Sequence, residues 1–358
     1  MFYHPPRDGT SVQELAARAK TLIFTHGDES YLDRMREYGF GGPATQYLMA
    51  NEASGPPDLV NSSSLCDGYL FYPNNVAGLT GDFCIALHPD EGNFLHNSKG
   101  QRLYSTQSWT DETGRHTVCL YLMNPAAPGW QAYLASHLPI LFANSPYGGV
   151  FLDNVDLAPT RGQRLETNSD GAVEEYASIA AYQASVQGYL AGIRAALPVG
   201  MQAWANMTEG QPTVDNWNAY LPYLDGVMDE SFASGWHGIN DPTSWLAQVQ
   251  RMEAVLRQGK TFVGVVQGSQ GDSHLRLFGF ASYLLAAGDN AYFRYADDEH
   301  YYDAWWYTEY DTRLGAPLGA RYETSNGVWQ RDFACGQVTV DAAARVGTIT
   351  AIAAPGCW

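Results

Sequence analysis

Between Thr21 and Tyr295 the chain switches repeatedly from a short apolar run to a stretch with helical spacing. That alternation confines it to folds in which parallel strands are joined by crossover helices, because a strand apolar on both faces must be covered on both. The strand-like runs are 21–25, 44–49, 118–122, 150–152, 199–205, 226–228, 261–266 and 291–295. Segments 31–38, 128–142, 172–197, 217–223, 242–258 and 273–287 read as helices, two of them closed by Gly39 and Gly259. Eight strands over about 300 residues is the count of a closed (β/α)₈ TIM barrel. A doubly wound sheet would want about six strands and a glycine phosphate loop, and the nearest glycine cluster, Gly39, Gly41 and Gly42, follows a helix instead of a strand.

Two segments fall outside this alternation. Residues 51–116, rich in Gly, Pro, Asn and Ser, form a connection far longer than usual between the second and third strands. It is expected to wall a cleft over the strands' carboxyl ends, with His88 and Asp90 tying it down. Beyond about residue 308, runs at 318–324, 328–333, 337–340 and 346–352 flank the turn pair Asn326-Gly327, which signals a hairpin. The expected organisation is a barrel over 1–308 carrying the 51–116 insertion, with a small antiparallel β appendage over 309–358.

With 20 Lys+Arg against 38 Asp+Glu the formal charge is -18, which repels nucleic acid and anionic membrane and argues against both as partners. The 10 Trp, 23 Tyr and 14 Phe lean towards a site where an apolar ring face meets a wet rim, as when a sugar lies on an aromatic side chain. Among five cysteines there is no Cys-x-x-Cys and no zinc spacing. Cys66 with Cys84, and Cys335 with Cys357, are near enough in sequence to pair in an oxidising compartment, while free thiols in the cytoplasm fit equally well. No run is long and apolar enough for a membrane span, and the first residues lack the features of a signal peptide. Either a cytoplasmic protein or a secreted one with its leader removed is expected.

In barrels the functional side chains gather where strands end. Those ends supply Asp28, Gln46, Asn124, Asp153, Asp156, Trp204, Asn206, Asp229, Glu230, Gln267 and Arg294, with Trp236, Trp305 and Trp306 as further stacking candidates. Carboxylates, amides, an arginine and indoles suit a neutral polyhydroxylated ligand. Each also has an ordinary reading, as a helix cap, a loop hydrogen bond or core packing. His26-Gly27-Asp28 has a single histidine where a metal-dependent hydrolase would want His-x-His, no lysine stands at a strand's carboxyl end for Schiff-base chemistry, and Ser231 lacks a Gly-x-Ser-x-Gly elbow. No metal and no cofactor are expected.

Asp153 and Glu230 are the two acids with the most to explain, since each closes an apolar strand entered through glycine. Phe151 and Asp153 share one strand face, and Met228 and Glu230 another. If the apolar members point into the barrel, both acids project into its mouth. Glycoside hydrolysis needs such a pair, one acid to protonate the leaving oxygen and one to attack or to activate water. Asp153 is then the ionised nucleophile and Glu230, with like charges around it, the proton donor, with Asp229 as its competitor.

Phe2-Tyr3-His4-Pro5-Pro6, Gly27-Asp28-Glu29, Leu87-His88-Pro89-Asp90 with Gly100-Gln101-Arg102, Gly148-Gly149-Val150-Phe151-Leu152-Asp153-Asn154-Val155-Asp156, Asp225-Gly226-Val227-Met228-Asp229-Glu230-Ser231 and Leu314-Gly315-Ala316-Pro317-Leu318-Gly319 resemble a group of hypothetical glycosyl hydrolases related to endo-α-1,4-polygalactosaminidases. The resemblance spans nearly the whole chain and implies a retaining (β/α)₈ glycosidase without naming the sugar. Chitinase-like barrels carry Asp-x-Asp-x-Glu at the fourth strand, where this chain has Phe151, Asp153 and Val155, so substrate-assisted chitin cleavage is disfavoured. An inverting glycosidase and a carbohydrate-binding barrel without catalysis are the alternatives.

Overall fold

The computed structural model describes residues 4–55, 91–111, 114–159, 173–208, 213–235, 238–298 and 300–352. Cys66, Cys84, His88, Asp90, Trp236 and Cys357 lie outside the described residues. In chain order the elements are α1 (Val12–Arg18), β1 (Leu22–Phe24), α2 (Glu29–Glu37), β2 (Ala44–Met49), β3 (Glu52–Gly55), β4 (Tyr104–Asp111), β5 (Gly114–Leu122), α3 (Pro128–Leu141), β6 (Gly149–Asp156), α4 (Ile179–Ala196), β7 (Gln202–Thr208), α5 (Val214–Tyr220), β8 (Gly226–Asp229), β9 (Ser234–Gly235), β10 (Gly238–Ile239), α6 (Pro242–Arg257), β11 (Thr261–Gln267), α7 (Ser273–Leu284), β12 (Ala291–Ala296) and then β13 (Tyr322–Ser325), β14 (Val328–Phe333), β15 (Gly336–Asp341) and β16 (Val346–Ala351).

The barrel sheet is parallel and runs β1-β2-β6-β7-β8-β11-β12. Among the described residues it holds seven strands, where the sequence predicts eight. The third expected strand, 118–122, belongs to β5, which is sandwiched antiparallel between β3 and β4 in a separate sheet. Both edges of β5 are therefore taken, and β2 pairs directly with β6, Gln46 facing Val150 and Met49 facing Asp153. The chain turns into β3 at Glu52, so part of the long insertion forms this second sheet.

Strand alternation sorts the side chains into two cores. Ile23, Phe151, Trp204, Met228, Val263, Val265 and Ala296 pack together inside the curl of the sheet, joined by Tyr47, Tyr292 and Tyr301. Their neighbours one residue along, such as Leu22, Val150, Ala203, Val227 and Phe262, face the helices in the larger cluster. Each fully buried aliphatic or aromatic side chain contributes about 1.5–3 kcal/mol.

On β6 and β8, glycine is required by close approach. A Cβ on Gly149 would lie 2.3 Å from the Gln202 carbonyl oxygen, and one on Gly226 would lie 2.9 Å from the Trp204 ring. The C-terminal sheet β13-β14-β15-β16 is antiparallel and packs on α7 through Gly347, where a Cβ would meet the Leu277 carbonyl oxygen at 2.5 Å. Arg331 donates to the Leu284 and Ala287 carbonyls at 3.0 and 2.8 Å, filling acceptors that a helix end leaves open. Arg321 pairs with Glu253 of α6 at 2.8 Å. Cys335 is disulfide-bonded.

Gly149→Ala is expected to cost about 1–3 kcal/mol, because overpacked backbone must move. Gly188→Ala, inside α4 with nothing near its Cβ position, is expected to gain about 0.5–1 kcal/mol from helix propensity. Denaturant unfolding of the two variants checks both signs.

Candidate active site

Two residues beyond the inner apolar layer, at the carboxyl end of the sheet, the inward positions become polar. Phe151 gives way to Asp153 on β6, Trp204 to Asn206 on β7, Met228 to Glu230 after β8, and Val265 to Gln267 on β11. The period of two that fills the barrel with rings thus also rings its mouth with acids and amides.

On β6 that phase is cut short by a bulge. Leu152 lies opposite Ala205 but Val155 opposite Met207, so β6 carries one extra residue there. Asn154 absorbs it with φ 57°, a left-handed conformation that asparagine tolerates. Its amide donates to the buried Glu52 at 2.9 Å, and the Asn51 amide donates to its carbonyl at 3.0 Å. Val155 turns to the helix-side core as a result. Asp156 comes opposite Thr208, whose hydroxyl donates to it at 2.7 Å.

Asp153 and Glu230 meet on one side chain. Asn206 is fully buried, and its Nδ2 donates to Asp153 Oδ1 at 2.9 Å and to Glu230 Oε2 at 2.8 Å. With both N–H bonds turned to the acids, Asn206 Oδ1 is left buried without a partner among the described residues, a cost the site carries to keep the amide in this orientation. Asp153 also accepts from the Tyr47 hydroxyl at 2.7 Å and from the Asn154 backbone N–H at 2.9 Å. Glu230 accepts from the Tyr301 hydroxyl at 2.8 Å. Asp153 is buried, whereas Glu230 is partly exposed.

Burial, and then the facing carboxylate, pushes the Tyr47 hydroxyl well above the usual phenol range; Tyr301 is raised likewise by burial and then by Glu230. Both stay protonated donors through the neutral range. Neither was singled out from the sequence. Tyr47 is one residue from the candidate Gln46, and alternation is the signal that separates them: Gln46 shares a face with Ala44 and Leu48 in the helix-side core, while Tyr47 stacks on Phe151 at 6.2 Å. Tyr301 stands in the loop after β12, which strand periodicity does not reach.

The remaining candidates act at one remove from the two acids or elsewhere. Arg294 is buried and donates to the Tyr301 and Asp303 carbonyls, both at 2.8 Å, so it fixes the loop that presents Tyr301. Gln267 donates to the Glu230 carbonyl at 3.0 Å, fixing the backbone beneath that acid. Trp204 is an inner-core residue stacked on Tyr292 at 6.3 Å, beneath the polar layer. Asp28 accepts from the Thr25 hydroxyl at 2.9 Å and lies 3.0 Å from His4 Nδ1. Asn124 accepts from Tyr176 at 2.6 Å. Asp229 faces the helices: it pairs with buried Arg251 of α6 at 3.1 Å, whose guanidinium lies 5.1 Å over Trp217. Alternation turns Asp229 away from the mouth, and the ion pair neutralises its charge on the helix side. Among the described residues no group of three or more His, Cys, Asp or Glu is placed to hold a metal ion.

Comparison with known proteins adds to this geometry. The model of hypothetical glycosyl hydrolase family 15 matches residues 73–337. The glycoside hydrolase domain of PelA from Pseudomonas aeruginosa is similar in structure, with TM-score 0.50 and 16% identity over 84% of this chain and 95% of that one. A variant of the same domain aligns with TM-score 0.50, 14% identity and the same coverage, 84% and 95%. At these identities the likeness is one of fold. No curated protein sequence matches.

Asp229→Ala strands a buried guanidinium and is expected to cost about 3–5 kcal/mol in denaturant unfolding. Tyr47 and Tyr301 bind their protons more firmly folded than unfolded, where phenols ionise near pH 10. Their contribution is therefore complete below about pH 10 and is lost as pH climbs above it. Phenolate absorbance should show these groups ionising only together with loss of the near-ultraviolet dichroism of the folded state.

Proposed function

This chain belongs to hypothetical glycosyl hydrolase family 15, and on that footing we propose that it cleaves a glycosidic bond by double displacement, with Asp153 as nucleophile and Glu230 as acid/base. The observation that carries the reading is the shared Asn206 amide. Two oxygens bonded to one nitrogen at 2.9 and 2.8 Å are less than about 6 Å apart, closer to the roughly 5–5.5 Å of retaining pairs than to the roughly 6.5–9.5 Å of inverting ones.

Three donors aimed at Asp153 suit a group that only accepts, which is the ionised carboxylate. In the first step an Asp153 oxygen bonds to the anomeric carbon as the glycosidic bond breaks, and Glu230 gives its proton to the departing oxygen. In the second, Glu230 takes a proton from water, whose oxygen replaces Asp153 at the anomeric carbon. Atoms and charge balance with no further reactant. The greater exposure of Glu230 supports its role, since it must meet both the leaving group and the incoming water. Asn206 is placed to bond a developing charge near either acid, and Tyr47 to release its hydrogen bond to Asp153 as the covalent ester forms. The substrate is a carbohydrate, and the Asp156–Thr208 pair is a candidate for holding its hydroxyls.

Glu230→Gln is expected to lower kcat about 10²–10⁴-fold on natural linkages and far less on aryl glycosides whose leaving group needs no proton. Asp153→Asn should lose activity on both. Turnover unchanged in both variants would remove the assignment. Proton NMR of the first product should show the substrate's own anomeric configuration; the opposite anomer would replace double displacement with direct attack by water.

A further inference from the structure

β1 and β12 are the two ends of the parallel sheet, and among the described residues no ladder joins them. A cavity of about 310 Å³ opens at that seam, between the β12–α7 side and the α1–β1 side. Its wall is aromatic: Phe280, Tyr283, Phe293, Trp305, Trp306 and Tyr310. The rings brace one another, with Phe280 4.9 Å from Tyr310 and 5.1 Å from Phe293 between centroids, so the wall is preformed. A volume near 300 Å³ is at the small end of ligand sites.

The polar features limit what fits. The Tyr310 ring lines the wall, and its hydroxyl is buried behind it without a hydrogen-bond partner among the described residues. Several hydroxyls at the wall are spent, Thr21 on the Pro43 carbonyl at 3.0 Å, Tyr283 on the Ala291 carbonyl at 2.8 Å and Tyr295 on the Ser269 carbonyl at 2.9 Å. A neutral sugar here would leave most of its hydroxyls unsatisfied, at about 1–3 kcal/mol each. At the rim, Arg18 and Lys20 are exposed and make no salt bridge among the described residues; Arg18 lies 5.3 Å over the Trp306 ring. Three acids stand nearby, each with its own partners: Asp8 accepts the Thr10 and Ala304 N–H groups at 3.0 and 2.8 Å, Asp311 the Trp306 indole at 3.1 Å, and Glu14, one turn before Arg18 on α1 and in favourable charge interaction with it, the Ser11 hydroxyl at 2.9 Å. Two exposed cations without a salt bridge among the described residues, beside an aromatic slot in a chain of net charge -18, favour an anion with a flat body.

The geometry points to a second binding site at the β12–β1 seam for an aromatic carboxylate or sulfonate, its rings against the Phe280–Phe293–Trp305 wall and its anionic group between Arg18 and Lys20. Neither Asp153 nor Glu230 lines this cavity, and the proposal rests on no role for either. Anilinonaphthalene sulfonate is a suitable probe, with uncharged phenylnaphthylamine as its control, titrated calorimetrically into the full chain. One saturable site is expected for the sulfonate. Arg18→Gln with Lys20→Gln, both on the surface, should weaken it at least tenfold while leaving the uncharged dye unchanged and the melting temperature near that of the parent. Absence of saturation, several equivalent weak sites, or equal affinity in parent and double variant would overturn the proposal.

Discussion

A single buried amide holds the two acids at the barrel's mouth. Asn206 reaches Asp153 on one neighbouring strand segment and Glu230 on the other, and it does so only because β6, β7 and β8 keep a fixed parallel register. A carboxamide has two N–H bonds in one plane, so it sets the spacing of both carboxylates at once. Everything beneath serves that spacing. The Phe151, Trp204 and Met228 layer supports these three residues from below, and the glycines at the strand starts let β6, β7 and β8 come close enough for the register to hold.

The supports around the acids differ in kind. Asp153 is held from its own side of the sheet by Tyr47 and by the bulge backbone, so its position is set by strands. Glu230 lies beyond the end of β8 and is held by a loop residue, Tyr301, which in turn depends on Arg294 grasping two carbonyls. The proposed nucleophile thus stands on the more rigid footing and the proposed acid/base on the more adjustable one, an apportionment that suits a group which must serve leaving oxygen and water in turn.

Much of this was legible in the sequence because it follows from periodicity. Alternation of two placed Asp153 and Glu230 on the faces of Phe151 and Met228, and glycine at 149 and 226 marked the close approaches below them. Periodicity does not say which phase of a strand faces inward unless an apolar partner fixes it, so Gln46 stood where Tyr47 is observed. Nor does it report pairings across the fold: alternation set Asp229 on the face opposite Glu230 but left it a competitor, and its partner Arg251, on a helix 22 residues further on, is not visible in local pattern. The third strand was recognised as a strand, but its partners, β3 and β4, come from an insertion with little pattern of its own.

The bulge at Asn154 has a consequence for how this strand tolerates change in length. A strand offers only two orientations, and here the extra residue lets Asp153, bonded to Asn206, and Asp156, opposite Thr208, lie three apart while their partners on β7 are two apart. Removing one residue from this stretch would swing one of those acids toward the helices, and adding one would do the same. Surface turns such as that at Gly327 carry no such parity, so indels can accumulate there while the mouth of the barrel stays locked to a single chain length.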